Sequence, residues 1–106
     1  MLVERDGRLF VQGAMTMVQA AALLAAGESR CAAADWIIDL VEVEQADSSA
    51  LAVVLAWLRS AKASGRCLQI ANPPLAFSSL SVLYGVDGLL AAFLHGGSDR
   101  VSDARA

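Results

Sequence analysis

Apolar positions in the first dozen residues fall into two short runs, Leu2-Val3-Glu4 and Arg8-Leu9-Phe10-Val11, on either side of Asp6-Gly7. An Asp-Gly pair supplies the positive φ of a tight turn, so the spacing predicts a β-hairpin. Gly13 is expected to break the second strand. Thr16 and Gln19 then have the spacing of a capping box, in which the hydroxyl accepts from first-turn amides and the Gln side chain reaches back. The pattern predicts a helix from Met17 to about Ala26, with Met17, Ala20, Ala21 and Leu24 as its apolar stripe. Gly27 is the expected C-terminal stop.

Trp36-Ile37-Ile38-Asp39-Leu40-Val41 is almost unbroken apolar sequence. That pattern predicts a strand covered on both faces. Glu42, Glu44 and Gln45 mark its exit into a loop. Asp47-Ser48-Ser49 opens the next helix, because any of the three can cap exposed amides. Leu51, Val54, Leu55 and Leu58 repeat at i, i+3, i+4 and i+7, which directs this face to the sheet. Lys62 suits the last turn, and Gly65 closes the helix. Cys67 to Ala71 reads as another strand, which completes a βαβ unit of right-handed sense. Asn72-Pro73-Pro74 is a turn that starts a third helix, running to about Tyr84 and stopped by Gly85. Leu90 to Leu94 is expected as a last short helix or strand. The resulting order, β-β-α-β-α-β-α, predicts an α/β fold in which helices pack on a mixed sheet.

The 106-residue length allows one domain, and 57% hydrophobic residues exclude a disordered chain. His95 to Ala106 is polar and rich in Gly, Ser and Asp, so the reading divides the chain into a domain over 1–94 and a flexible tail over 95–106. The balance of 8 Lys+Arg against 11 Asp+Glu gives a net charge of −3 and argues against nucleic-acid binding, which needs a basic face. Two uncharged stretches, Leu9 to Gly27 and Cys67 to Val86, are long enough to test as membrane spans. The first is diluted by Gln12, Thr16 and Gln19, the second by Asn72, Pro73, Pro74 and serines, so both read as buried elements. Charged residues from Glu4 to Arg8 fall where a signal peptide would need an apolar core.

Candidate chemistry is sparse. Cys31 and Cys67 are too few for a disulfide framework and read as two buried free thiols. No Cys/His cluster suggests zinc, so neither metal nor cofactor is expected. Glycine-rich nucleotide loops are absent. A Ser-His-Asp site would need His95, which sits in the tail. The sequence therefore supplies no catalytic constellation, and an enzyme is not expected. Glu42, Glu44 and Asp47 read as a solvated acidic loop in preference to a Mg²⁺ site.

Asp47-Ser48-Ser49 is the most informative spot. It is at least a helix cap. Two hydroxyls at the positive end of a helix are also where an added phosphate would meet free N–H groups. Trp57 lies beside the inward stripe, in line with Val53 and Ala50. It either closes the edge of the core or anchors a partner, since Trp is enriched at interface hot spots. Tyr84 falls at the end of the third helix.

Taken in order, these pieces resemble the STAS domain family. Ile38-Asp39-Leu40, the loop through Ala46, and Asp47-Ser48-Ser49-Ala50-Leu51 follow its pattern of an Asp-Leu strand, a loop and an Asp-[Ser/Thr]-x-Gly-Leu helix start. Val11-x-Gly13, Gly65 and Leu80-x-x-Leu83-Tyr84-Gly85-Val86 also fall where that family has them. The likeness covers roughly residues 8–94. It departs at Ala50, where the motif has Gly, and at Val41-Glu42, where Ser-Gly is common.

The resemblance implies a STAS-type mixed sheet flanked by about four helices and a non-enzymatic interaction module. Two branches fit. The MlaB-like branch comprises cytoplasmic accessory subunits of Mla-type phospholipid ABC transporters, which maintain outer-membrane lipid asymmetry. Ser48 and Tyr84 match the positions expected at its contact with an MlaF-like ATPase subunit, within a complex that includes a permease. In the anti-sigma factor antagonist branch the second serine of the motif is phosphorylated, which here is Ser49. The MlaB-like reading is preferred, and under it Asp47, Ser48, Ser49, Ala50, Val53, Trp57 and Tyr84 are the expected partner-binding residues, with Ser49 and Ser48 as possible phosphoacceptors. Under the first reading the chain is cytoplasmic and reaches the inner membrane only through its partner.

Overall fold

In a computed structural model of the chain, which describes residues 1–94, the hairpin forms as the Asp-Gly signal requires. Strands β1 (Leu2–Arg5) and β2 (Arg8–Val11) pair antiparallel with Arg5 opposite Arg8. The two turn residues both have positive φ, 53° at Asp6 and 77° at Gly7, the signature of a type I′ turn. Strand β2 ends at Val11, ahead of Gly13 as expected, and Gly13–Met15 then form a further short strand, β3.

Helix α1 follows over Met17–Ala33, seven residues beyond the expected Ala26. Gly27 is therefore not a stop. It lies inside the helix, buried against Trp57. The stripe shifts accordingly: Leu23, Gly27 and Cys31 are buried, whereas Met17 is 76% exposed. At the N-terminus, Gln19 reaches back as expected, its Oε1 accepting from the Thr16 backbone N–H at 3.3 Å.

Strand β4 (Trp36–Asp39) is shorter than the apolar run that announced it. Leu40 and Val41 enter a turn, and Val41 is exposed. Nor is the strand covered on both faces, because Ile37 is only half-buried. The stretch read as an exit loop contains a fifth strand, β5 (Val43–Ala46), which pairs parallel with β3. Helix α2 covers Ser48–Ala63 and strand β6 covers Leu68–Ala71. The four-stranded sheet has the order β1-β2-β4-β6, with β2, β4 and β6 parallel, and β3 and β5 form a separate pair.

Helix α3 (Leu75–Leu83) starts behind Pro73-Pro74, and a short α4 (Asp87–Ala91) ends the described fold. Beyond α4, Leu94 bridges β6 at Ile70, whose N–H donates to the Phe93 carbonyl at 2.8 Å. The expected tail, with His95, lies outside the described residues.

The core joins Leu9 and Val11 of β2, Ile38 of β4 and Ile70 of β6 to Leu51, Val54 and Leu58 of α2. The stripe read from the sequence thus faces the sheet, with Leu55 at its half-buried margin. On the other face of the sheet the Asp39 carboxylate is buried. It takes Arg8 Nη1 at 3.0 Å, the Asn72 amide at 3.1 and 3.2 Å, and the Val41 N–H at 2.9 Å. Cys31 is buried, but Cys67, expected to be buried too, is exposed just ahead of β6. Among the described residues no helix is long and apolar enough to cross a membrane.

Candidate functional site

The site is built on the start of α2. Asp47 caps that helix through Oδ1, which accepts from the Ser49 N–H at 2.8 Å. Its other oxygen accepts from the N–H of Met17, the first residue of α1, at 3.1 Å. One carboxylate therefore serves the N-termini of two helices, where unpaired N–H groups and the helix dipoles favour negative charge. The Met17 N–H, followed by Ser49, holds the Asp47 carboxyl below its ordinary value of 3.8.

The cap fixes the directions of the two serines. Ser48 is exposed and lines an apolar groove of about 290 Å³ with Leu51, Ala52, Leu55, Tyr84 and Val86. Ser49 is half-buried and faces the α1 side, where it lines a groove of about 310 Å³ with Ala20, Ala21, Leu24, Ala52 and Val53. Ala52 is the ridge between them.

Tyr84 reaches the Ser48 groove because α3 ends where it does. Gly85, with φ of 73°, lets the Gly85 N–H donate to Val82 and the Val86 N–H to Ser81 at 3.0 and 2.9 Å. This Schellman closure leaves Tyr84 as the capping residue, 57% exposed. Two residues 36 positions apart in sequence thus share one groove. Close to Tyr84 and Val86 in sequence, Val82, Leu83 and Leu89 are apolar and each more than half exposed.

Three expected contact residues are corrected. Ala50 is 1%, Val53 4% and Trp57 0% exposed, so Ala50 and Trp57 offer no surface to a partner and Val53 only an edge of the groove beside Ser49. Trp57 packs over α1 instead, its Nε1–H donating to the Leu24 carbonyl at 3.3 Å. Of the two readings for Trp57, closing the core is the one the geometry supports. Leu51 and Leu55, expected only as part of the inward stripe, line the groove as well, with Ala52 and Val86. Ser48, Ala52 and Leu55 recur at i, i+4 and i+7, a second helical face beside the core stripe, and that spacing was the available signal.

The acidic residues 42, 44 and 47 do not converge. Glu42 is held by Arg5 and by the Gln12 amide at 3.0 Å, and Asp47 is the cap. Arg5 and then Gln12 hold the Glu42 carboxyl below its ordinary value. Among the described residues no three His, Cys, Asp or Glu side chains gather as a metal site. The arrangement on α2 presents hydroxyls and apolar surface, which suits protein contact.

Comparison with known proteins agrees with this architecture. The family model described as "Mlab, STAS domain" matches residues 2–92. No curated protein matches the sequence. Among solved structures, a candidate anti-sigma factor antagonist from Thermotoga maritima superposes with a TM-score of 0.66 at 16% identity, over 100% of this chain and 94% of that one. The unphosphorylated anti-sigma factor antagonist SpoIIAA gives 0.59 at 14% identity, over 81% of each chain. At such identities these two likenesses speak for the fold. With a family model spanning nearly all of the described residues, the chain belongs to the STAS domain family.

Proposed function

We propose that this chain is a non-enzymatic accessory subunit that docks on the cytoplasmic ATPase of an Mla-type phospholipid ABC transporter. The observation that carries the reading is that Ser48 and Tyr84 line one exposed apolar groove. They are the two residues whose positions match the contact expected in the MlaB-like branch. The family description points the same way. A subunit that binds only the folded, assembled ATPase stabilises it by mass action. Unequal affinity for two ATPase conformations would also bias its cycle. The chain itself needs no nucleotide for either effect.

The test is capture of the co-expressed ATPase and permease on the tagged chain. Ser48→Arg, and Ser48→Arg with Tyr84→Ala, should abolish capture while circular dichroism stays unchanged. Capture that survives the double substitution rejects this docking surface.

A second reading, an anti-sigma factor antagonist switched by phosphorylation of Ser49, draws on the two structural neighbours. It predicts a serine kinase among the captured proteins and loss of that partner in Ser49→Asp. Ser49 opens on the α1 side of the helix, away from Tyr84, so the two readings make separate mutational predictions.

A further inference from the structure

The groove that holds Ser48 and Tyr84 does not end at Leu55. Leu55 also lines a second apolar hollow of about 250 Å³ with Leu58, Arg59, Lys62, Leu89 and Phe93. Leu58, Lys62 and Phe93 in turn border a third, of about 500 Å³, that reaches Arg66. The three hollows lie in succession along one side of α2 and make up an interrupted trench. From Ser48 to Lys62 the helix rises roughly 21 Å, at 1.5 Å per residue.

The second observation is charge. Arg5, Arg8 and Arg30 are in ion pairs with Glu42, Asp39 and Glu4. Arg59, Lys62 and Arg66 have no ion-pair partner among the described residues, and all three border the far half of the trench. Among the described residues no carboxylate lines any part of it. In a chain of net charge −3, the sign of the surface is inverted locally around an apolar floor.

We infer that the far half of the trench is a docking surface for an amphipathic helix of the partner, one that carries carboxylates beside its apolar stripe. An elongated open trench leaves a small ligand largely in water, whereas small-molecule pockets enclose most of their ligand. An amphipathic helix instead lays residues at i, i+3, i+4 and i+7 into such a groove. Leu55, Leu58, Leu89 and Phe93 supply the apolar floor. Arg59, Lys62 and Arg66 supply the rim that fixes register and speeds encounter with an acidic segment. The inference rests on the reading that α2 carries the docking surface, and it adds the chemistry of the segment that docks.

The probe is a fluorescein-labelled helical peptide of roughly 18 residues, with leucines along one face and glutamates flanking them, titrated with the full chain. A second peptide has lysine in place of every glutamate. The acidic peptide should bind and the basic one should not. Arg59→Glu with Lys62→Glu should weaken binding by about tenfold or more, as should high salt, with the melting profile unchanged. No binding of the acidic peptide, or equal binding of both, overturns the inference. So does recruitment to phosphatidylglycerol vesicles without peptide binding, which would assign the trench to a membrane. Self-association that the double substitution abolishes would assign it to a second copy and overturns it as well. ATPase capture separates the two proposals. If Ser48→Arg abolishes capture while the acidic peptide fails to bind, the ATPase reading stands and this inference falls. Peptide binding without any capture of the ATPase leaves the surface and removes the ATPase.

Discussion

The indole of Trp57 lies so close to Gly27 that a Cβ on Gly27 would sit 2.2 Å from ring atoms Cε2 and Nε1. The ring is fully buried and its N–H is committed to the Leu24 carbonyl, so it has nowhere to retreat. Gly27→Ala sets two effects against each other. Alanine favours a helix interior by about 1 kcal/mol, and overpacking costs about 1–3 kcal/mol. At this separation the steric effect wins, and urea unfolding should show a net loss of about 1–2 kcal/mol. In a Trp57→Leu background the same substitution should cost less, because the clash is gone, and a double-mutant cycle reads that coupling. Trp57→Ala alone should cost about 3–5 kcal/mol, which makes it a fold probe and not an interface probe.

Asp47 predicts a pH signature. Its folded carboxyl is held below 3.8 by the N–H groups of Met17 and Ser49. A depressed carboxylate contributes stability that is present above the unfolded value and lost as pH falls through the folded one. Asp47→Asn keeps a single acceptor, enough to cap one helix but not two. The melting temperature of the variant should lie below that of the parent at pH 6–7. The gap should close as pH falls below about 4. A gap that is constant from pH 7 to pH 3 would remove the charge from the explanation.

The buried Asp39 carboxylate should matter more than its ion-pair partner. Asp39→Ala strands the Asn72 amide and the Val41 N–H and removes the ion pair to Arg8, whereas Arg8→Met leaves Asp39 with two of its partners. Breaking a fully buried pair costs about 3–5 kcal/mol, and the one-third exposure of Arg8 lowers that. Denaturant titrations should give about 2–3 kcal/mol for Asp39→Ala and a smaller loss for Arg8→Met.

The two thiols should separate kinetically. Cys67 is exposed and should react with a thiol reagent in the native protein. Cys31 is enclosed by α1 and the core, and burial pushes its thiol up to about 11. It should react only as fast as the chain unfolds. Two equally fast thiols in the native state would contradict the packing of the second half of α1.

Ser48→Arg should leave the fold intact. The side chain is exposed beyond the cap, and a cation at the positive end of α2 costs about 0.3–1 kcal/mol, so unfolding free energy should fall by no more than about 1 kcal/mol. Loss of ATPase capture in that variant then reports contact. A matching loss of stability would mean that the substitution acts through the helix start instead.

Local rules made much of this protein legible from its sequence. The Asp6-Gly7 turn, the Thr16 and Asp47 helix starts, and the Gly65 and Gly85 stops each depend on a few adjacent residues. Such φ requirements and caps hold wherever the segment is placed. The α2 stripe was legible for the same reason, because its period is set by the helix alone. The STAS-like motif marked Ser48 and Tyr84 as candidates.

Tertiary structure decided the rest. Gly27 reads as a stop by its neighbours, and only the Trp57 ring from another helix makes it an interior contact. Strands β3 and β5 carry almost no periodic signal in three or four residues, and they exist because each completes the other's hydrogen bonds. Val53 and Trp57 fall on the side of α2 that α1 covers, which no pattern within α2 could disclose. That Ser48 and Ser49 open on opposite flanks, and that Tyr84 joins only the first, follows from how α1 and α3 pack about α2. A sequence specifies where backbone groups can turn and be capped, but which face of a helix is left open depends on what the rest of the chain lays against it.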